Sequence, residues 1–427
     1  MVSTILGAFR VGEIRNKILF TAALLALYRL GTHIPAPGIS AQAANEISKT
    51  IGSNGVFGLL NLFSGGGLGR IAIFALGIMP YITASIILQL LTVVVPSLDK
   101  LQKEGEVGQA RITQYTRYLT VGLAFAQSIG YVFLFKSFQA QAGVTLIAHF
   151  TLAKVFLIVI CLTAGTVLLM WMGELITQRG IGNGISLLIF ASIVARIPSG
   201  IHSWWTNPDQ VFRVIMPFIA LGVVAAVVFV QEGQRRIPIQ YAKRVIGRRM
   251  TQGGQTYLPL RVNMAGVIPV IFAASVMAIP PTVGQLIGQN RTHSFATQLA
   301  NFFSPQGWHY VLGESILIIL FTYFYTAVTF NPVDQAENLK KYGGFIPGVR
   351  PGRPTAEFLD RILARLTFYG ALFLAAIAAL PTILINQTSA NFFFGGTSIL
   401  IVIGVALDTM KQLEAQLMMR NYEGFLK

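Results

Sequence analysis

Residues 61–70 read NLFSGGGLGR and stand directly before IAIFALGIMPYITASIILQLLTVVV (71–95), a stretch without a charged side chain. The glycines Gly65, Gly66, Gly67 and Gly69 invite a phosphate-binding loop. That chemistry needs G-x-x-x-x-G-K-[ST], with a Lys for the phosphates and a hydroxyl for the metal. No Gly-Lys-Ser/Thr follows here, and no dinucleotide fingerprint fits. The other catalytic sets are missing too. His33, His149, His202, His293 and His309 are scattered over or near one set of loops, without an H-E-x-x-H pair. There is no G-x-S-x-G elbow and no pair of intramembrane aspartates. Cys161 is the single cysteine and lies inside an apolar run, so no disulfide framework or thiolate metal site is available. The sequence calls for no cofactor and no metal, and it reads as a non-enzyme.

Charges inside apolar segments would mark an ion-coupled transporter, which places ionisable groups in mid-span. Glu174, Glu314 and Asp408 fall at or near the ends of apolar runs, where interfacial charge or local pairing explains them. Arg29 sits inside a run; it either snorkels outward or pairs within the bundle, a structural role in both cases. The strongest electrostatic feature is GQRRIPIQYAKRVIGRRMTQGGQTYLPLR (233–261), with seven basic residues and no acidic one. Such a loop suits an anionic partner, either RNA phosphate, bound without sequence preference, or acidic lipid. A second basic tip, KKYGGFIPGVRPGRPTAEFLDR, follows at 340–361. Two isoleucine pairs, Ile82 with Ile86 and Ile185 with Ile189, are spaced i, i+4 and line one helix face each.

The elements that must position these residues are membrane spans. Of the 427 residues, 54% are hydrophobic and only 11% are charged. Soluble chains average about 25% charged, so this surface must face lipid. Stretches long enough to cross a bilayer occur at 18–34, 71–95, 117–135, 152–173, 182–197, 213–231, 262–282, 314–330, 362–382 and 394–411. The connecting loops alternate in charge. The N-terminus, 96–116, 174–181, 232–261, 331–361 and the C-terminal tail hold most basic residues, whereas the opposite set holds only Lys49, Arg70, Lys136 and Arg291. Basic loops stay in the cytoplasm, so both termini are expected there. The N-terminus lacks a signal peptide's cleavage pattern, and insertion is read from the internal segments. Ten spans divide into two groups of five, and related halves of odd helix number must be inverted.

Six motifs carry a resemblance. NLFSGGGLGRIAIFALGIMPYITASIILQLL, TQRGIGNGIS, GQRRIPIQYAKR, LPLRVNMAGVIPVIFA, NPVDQAENLKKYGGFIPGVRPG and FFFGGTSILI closely resemble the SecY family, the channel subunits of the Sec translocon, from about residue 10 to the C-terminus. The resemblance implies an all-α polytopic membrane protein, with ten helices in two pseudo-symmetric inverted five-helix halves, 1–197 and 198–427, around a central pore. It implies a plug near 55–68 that turns on Gly65, Gly66, Gly67 and Gly69. It implies a pore ring of Ile82, Ile86, Ile185, Ile189, Ile271 and Ile401, with a lateral gate bordered by Gln127 and Asn263. It also implies docking of the ribosome or the SecA motor on Arg236, Lys243, Arg244, Arg248, Arg249, Arg350 and Arg353, with Tyr422 beside them. Further implied partners are SecE, SecG, signal peptides, nascent chains, membrane lipid and a second copy in a SecYEG dimer. The implied location is the bacterial cytoplasmic membrane. The expected function is a protein-conducting channel; the alternative is a small-solute secondary transporter.

Overall fold

The computed structural model describes residues 9, 11–40, 42–44, 46, 61, 63–142, 147, 150–206, 210–241, 245–246, 249–250, 254–287, 302–303, 307–388 and 396–425. Each of the ten apolar stretches contains a helix among these residues. They are α1 (Gly12–Gly31), α2 (Met79–Val94), α4 (Glu106–Ala142), α5 (Leu152–Arg179), α6 (Gly184–Val194), α8 (Gln210–Glu232), α9 (Ile268–Ile287), α10 (Trp308–Thr329), α12 (Arg353–Thr388) and α13 (Gly396–Phe425). Three short helices, α3 (Pro96–Lys103), α7 (Ile197–Trp205) and α11 (Pro332–Lys341), connect them. Among the described residues, six stretches are long and apolar enough to cross a membrane, and a seventh is reached by joining α2 to α3, which meet at a 100° bend at Val95–Pro96. Pro96 explains that bend: its ring removes a helical donor and forces the preceding residue out of the helix.

The second expected span, 71–95, begins later than its composition suggests. Residues 71–78 form turns, and the helix starts at Met79 with Pro80 in its first turn. Backbone pairing with the segment after α1 competes successfully for these residues. Ala36 N donates to Ile71 O at 2.9 Å, and Ile73 N donates to Ile34 O at 3.0 Å. Gly165 of α5 makes room for this turn, since a Cβ there would overlap the Ile73 carbonyl. Ile71 itself has a φ of 50°, a region that a β-branched residue occupies only under strain.

The chain divides into two compact units. The first comprises Met1–Thr206, Ala274–Tyr310 and Val405–Lys427; the second comprises Asn207–Ala273 and Val311–Gly404. In the first unit, α2 packs along α4, α4 along α5, and α5 along α6 and α1. A small cluster of Ile14, Ile181 and Leu413 seals the ends of three segments there.

The second unit contains a sheet that hydropathy did not announce. Strands β1 (Gln234–Tyr241) and β4 (Gln255–Arg261) form an antiparallel hairpin, with β5 (Gly344–Phe345) added at the other edge of β1. The register runs from Gln234↔Arg261 to Gln240↔Gln255, and Gln240 opposes Phe345. A two-stranded ribbon of β2 (Val245–Ile246) and β3 (Arg249–Met250) lies between the hairpin strands in sequence. Ile237 and Ile239 are buried while Arg236 and Pro238 are exposed, the period-two alternation of a half-buried strand. Ile237 and Leu260 join Ile346, Leu359, Ile362 and Leu363 in one core, which fastens the sheet to the start of α12.

Candidate functional site

The glycine break is a tightly bonded turn. Gly65 and Gly66 adopt φ values of 64° and 87°, the left-handed region that glycine reaches without penalty. Asn61 and Ser64 close the turn. Gly66 N donates to Asn61 O at 2.8 Å, Gly69 N to Asn61 Oδ1 at 2.9 Å and Leu68 N to Ser64 Oγ at 3.0 Å. The turn rests on two helices. Tyr28 of α1 and Ser192 of α6 share a hydrogen bond between their hydroxyls. A Cβ on Gly65 would stand 2.9 Å from Tyr28 Oη and 3.5 Å from Ser192 Cα. Arg29 Nη1 donates to Gly65 O at 2.7 Å. Sequence reasoning assigned Arg29 a structural role and passed over Asn61 and Ser64. Their signal was the side chain–backbone bonding that Asn and Ser favour in turns. Half of the expected plug 55–68, residues 55–60 and 62, lies outside the described residues.

In the first unit, Ile82 and Ile86 share a face of α2, each 4% exposed. Ile189 of α6 is buried, while Ile185 is half-buried and lies against α5 at Gly173. The start of α6 is held firmly: Asn183 Oδ1 accepts from Ile185 N at 3.1 Å and Ser186 N at 3.3 Å, and Gly184 N donates to Thr177 Oγ1 at 2.9 Å. An Asn cap of this kind satisfies the amides that a helix leaves unpaired at its first turn. In the second unit, Ile271 and Ile401 are buried at 4% and 0% exposure. Gly404, three residues after Ile401, sits against the side chain of Val267, which stands just before α9 and four residues before Ile271.

Gln127 is half-buried on α4. Asn263, just before α9, is 5% exposed; its Nδ2 donates to Gly266 O at 2.9 Å, and its Oδ1 is buried without a partner. An ion pair not foreseen as such ties α4 to α5. Arg117 Nε donates to Glu174 Oε1 at 2.9 Å and Nη2 to Oε2 at 2.6 Å, while Nη1 reaches Gln114 Oε1 at 2.9 Å. Glu174 therefore has the local partner expected for a span-end carboxylate.

The basic loops meet through the sheet. Arg236 projects from β1, Arg350 lies beyond β5, and both are exposed. Arg353 opens α12 and pairs loosely with Glu357 at 3.1 Å, fully in solvent reach. The Arg350 carbonyl accepts from Thr355 Oγ1 at 2.8 Å, which fixes the turn between β5 and α12. The strand β5 bonded to β1 thus sets two loops, distant in sequence, on one platform. Lys243, Arg244 and Arg248 fall outside the described residues; Arg249 lies in β3 and Tyr422 in α13. Among the described residues no His, Cys, Asp and Glu cluster could hold a metal.

A family model described as SecY matches residues 72–410. The protein translocase subunit SecY of Streptomyces galbus is 50% identical over 443 aligned positions, covering 100% of both chains. The subunits of the same name from Corynebacterium glutamicum and Mycobacterium tuberculosis are 49% and 48% identical, again over 100% of both chains. Among solved structures, one described as "The structure of a protein conducting channel" superposes with a TM-score of 0.64 at 20% identity, covering 93% of this chain and 91% of that one. Sec61 in a canine ribosome–channel complex superposes with a TM-score of 0.60 at 20% identity, over 93% and 91% of the two chains.

Proposed function

The chain belongs to the SecY family, and from that premise we infer the detailed working of a protein-conducting translocation channel in a membrane. The observation that carries this reading is full-length identity of about half to protein translocase subunits. A small-solute transporter is set aside on the same ground.

The channel has to solve one physical problem. A charged side chain at the bilayer centre costs about 2.5–3.5 kcal/mol on insertion scales, so a polar chain cannot cross lipid unaided. Water-filled vestibules on both sides remove most of that cost but would leak ions. The two inverted halves, 1–197 and 198–427, would enclose such a path. Ile82, Ile86, Ile185, Ile189, Ile271 and Ile401 would form the constriction between the vestibules. Branched apolar side chains make a dewetted ring that ions do not cross. They bind a passing chain weakly and deform around it. The burial of five of the six and the firm seating of α6 support this role.

The segment near 55–68 would close the outer vestibule as a plug, anchored by the bonded turn at Gly65–Gly69. An opening bordered by Gln127 and Asn263 would release apolar segments sideways. A segment of roughly 20 leucine-like residues, each favouring lipid by about 0.5 kcal/mol, would leave the pore spontaneously. The chain itself hydrolyses nothing; a translating ribosome or the SecA ATPase would drive transport from the platform bearing Arg236, Arg350 and Arg353, extended by Lys243, Arg244, Arg248, Arg249 and Tyr422. SecE and SecG would complete the complex in the bacterial cytoplasmic membrane, with both termini in the cytoplasm. Signal peptides and nascent chains would be its cargo, and two SecYEG copies could associate.

Reconstitution tests the whole reading. Vesicles holding the chain with SecE, SecG, SecA and ATP should protect a secretory precursor from external protease. Uptake of a sugar or amino acid without precursor protection would overturn it.

A further inference from the structure

Three arginines converge on the glycine turn from separate segments. Arg29 comes from the end of α1, Arg196 from the turn between α6 and α7, and Arg70 from the position after the glycines. Arg29 Nη1 donates to Gly65 O at 2.7 Å. A Cβ on Gly66 would lie 3.9 Å from Arg196 Nη2. Arg29 and Arg196 each feel the positive charge of Arg70, and Arg196 also feels that of Arg29. Among the described residues no salt bridge joins any of the three to a carboxylate. Arg70 Nη1 is buried and has no hydrogen-bond partner. Like charges gathered in a half-buried place repel, and a buried N–H without an acceptor forfeits its hydration.

We propose that Arg29, Arg70 and Arg196 form a binding site for a phosphate oxyanion, supplied as free inorganic phosphate or as the phosphodiester of a lipid headgroup. Guanidinium groups present their donors as planar forks matched to oxyanions. A phosphate directs oxygens several ways and accepts from forks arriving from three segments; a carboxylate offers two oxygens in one plane. The amides of the turn are already used by Asn61 and Ser64, so the side chains and not the glycine backbone make this site. That separates it from a phosphate-binding loop. The exposed Leu27 and Leu30 flank Arg29 with lipid-compatible surface, which makes a headgroup a reasonable second source. A bound anion removes the mutual repulsion and holds the turn closed on α1 and α6.

The test uses the full chain, co-purified with the subunits that accompany it, in nanodiscs. In neutral phosphatidylcholine, added inorganic phosphate should raise the unfolding midpoint above chloride at matched ionic strength; this outcome identifies the free anion. Without phosphate, replacing part of the lipid by phosphatidylglycerol should raise the midpoint if the headgroup is the source. Arg70→Gln should abolish whichever rise occurs. Arg196→Lys keeps the charge but loses the fork, and it should weaken binding about tenfold, the loss of one charge-assisted hydrogen bond. No rise in either arm, or an equal rise in the wild type and both variants, overturns the proposal.

Discussion

At the scale of single residues, side-chain shape and backbone handedness decide what each position can do. Gly65 holds a φ of 64° with Tyr28 Oη only 2.9 Å from where a Cβ would stand. Gly65→Ala is expected to lower stability by about 1–2 kcal/mol from handedness alone, read as a fall in unfolding midpoint; an unchanged midpoint would mean the turn relaxes freely. Ile86 and Ile189 are buried on α2 and α6. Replacing both with Gly should raise resting conductance several-fold in planar bilayers, since a dewetted ring loses its seal when side chains are removed. Equal conductance would count against the ring. The glycine run was legible as a break in the chain. The residues it rests on were not, because Tyr28, Arg29 and Ser192 lie far from it in sequence and only folding brings them to Gly65.

At the scale of elements, the hairpin of β1 and β4 is the main addition to what hydropathy supplied. The signal for it lay in RRIPIQY and TYLPLR, where apolar and other residues alternate on either side of the Gly253–Gly254 pair. A search for spans reads such a stretch only as a charged loop. Leu260 is completely buried between the sheet and α12. Leu260→Ala should cost about 2–5 kcal/mol locally and make the hairpin the first site of limited proteolysis; resistance equal to the wild type would show that the core does not hold it. Arg236→Glu with Arg350→Glu should weaken docking of the ribosome or motor, most at low salt, where exposed charges are least screened. Binding unaltered at every salt concentration would point to another surface. The pair of Arg117 and Glu174 belongs to this scale as well, since it joins α4 to α5 by two short bonds. Removing Arg117 alone should destabilise more than removing both partners, because a carboxylate left without its cation keeps its desolvation penalty.

At the scale of the whole molecule, composition set the class. A chain of 427 residues with 11% charged side chains must be covered by lipid, and the precursor-protection assay tests what such a chain does there. The sequence by itself determined the apolar stretches, the alternation of basic loops and the motifs that tie the chain to its family, because each depends only on local side-chain chemistry. It did not determine where 71–95 becomes helical. Pairing of Ile71 and Ile73 with the segment after α1 outweighs helix propensity there, and that partner is remote in sequence. Nor could it reveal that β5 would bring the 340–361 tip beside β1, or that Arg29, Arg70 and Arg196 would gather around one turn. Hydrogen bonds and charge contacts between distant residues carry no periodic trace in the chain. Only the folded backbone decides which of them meet.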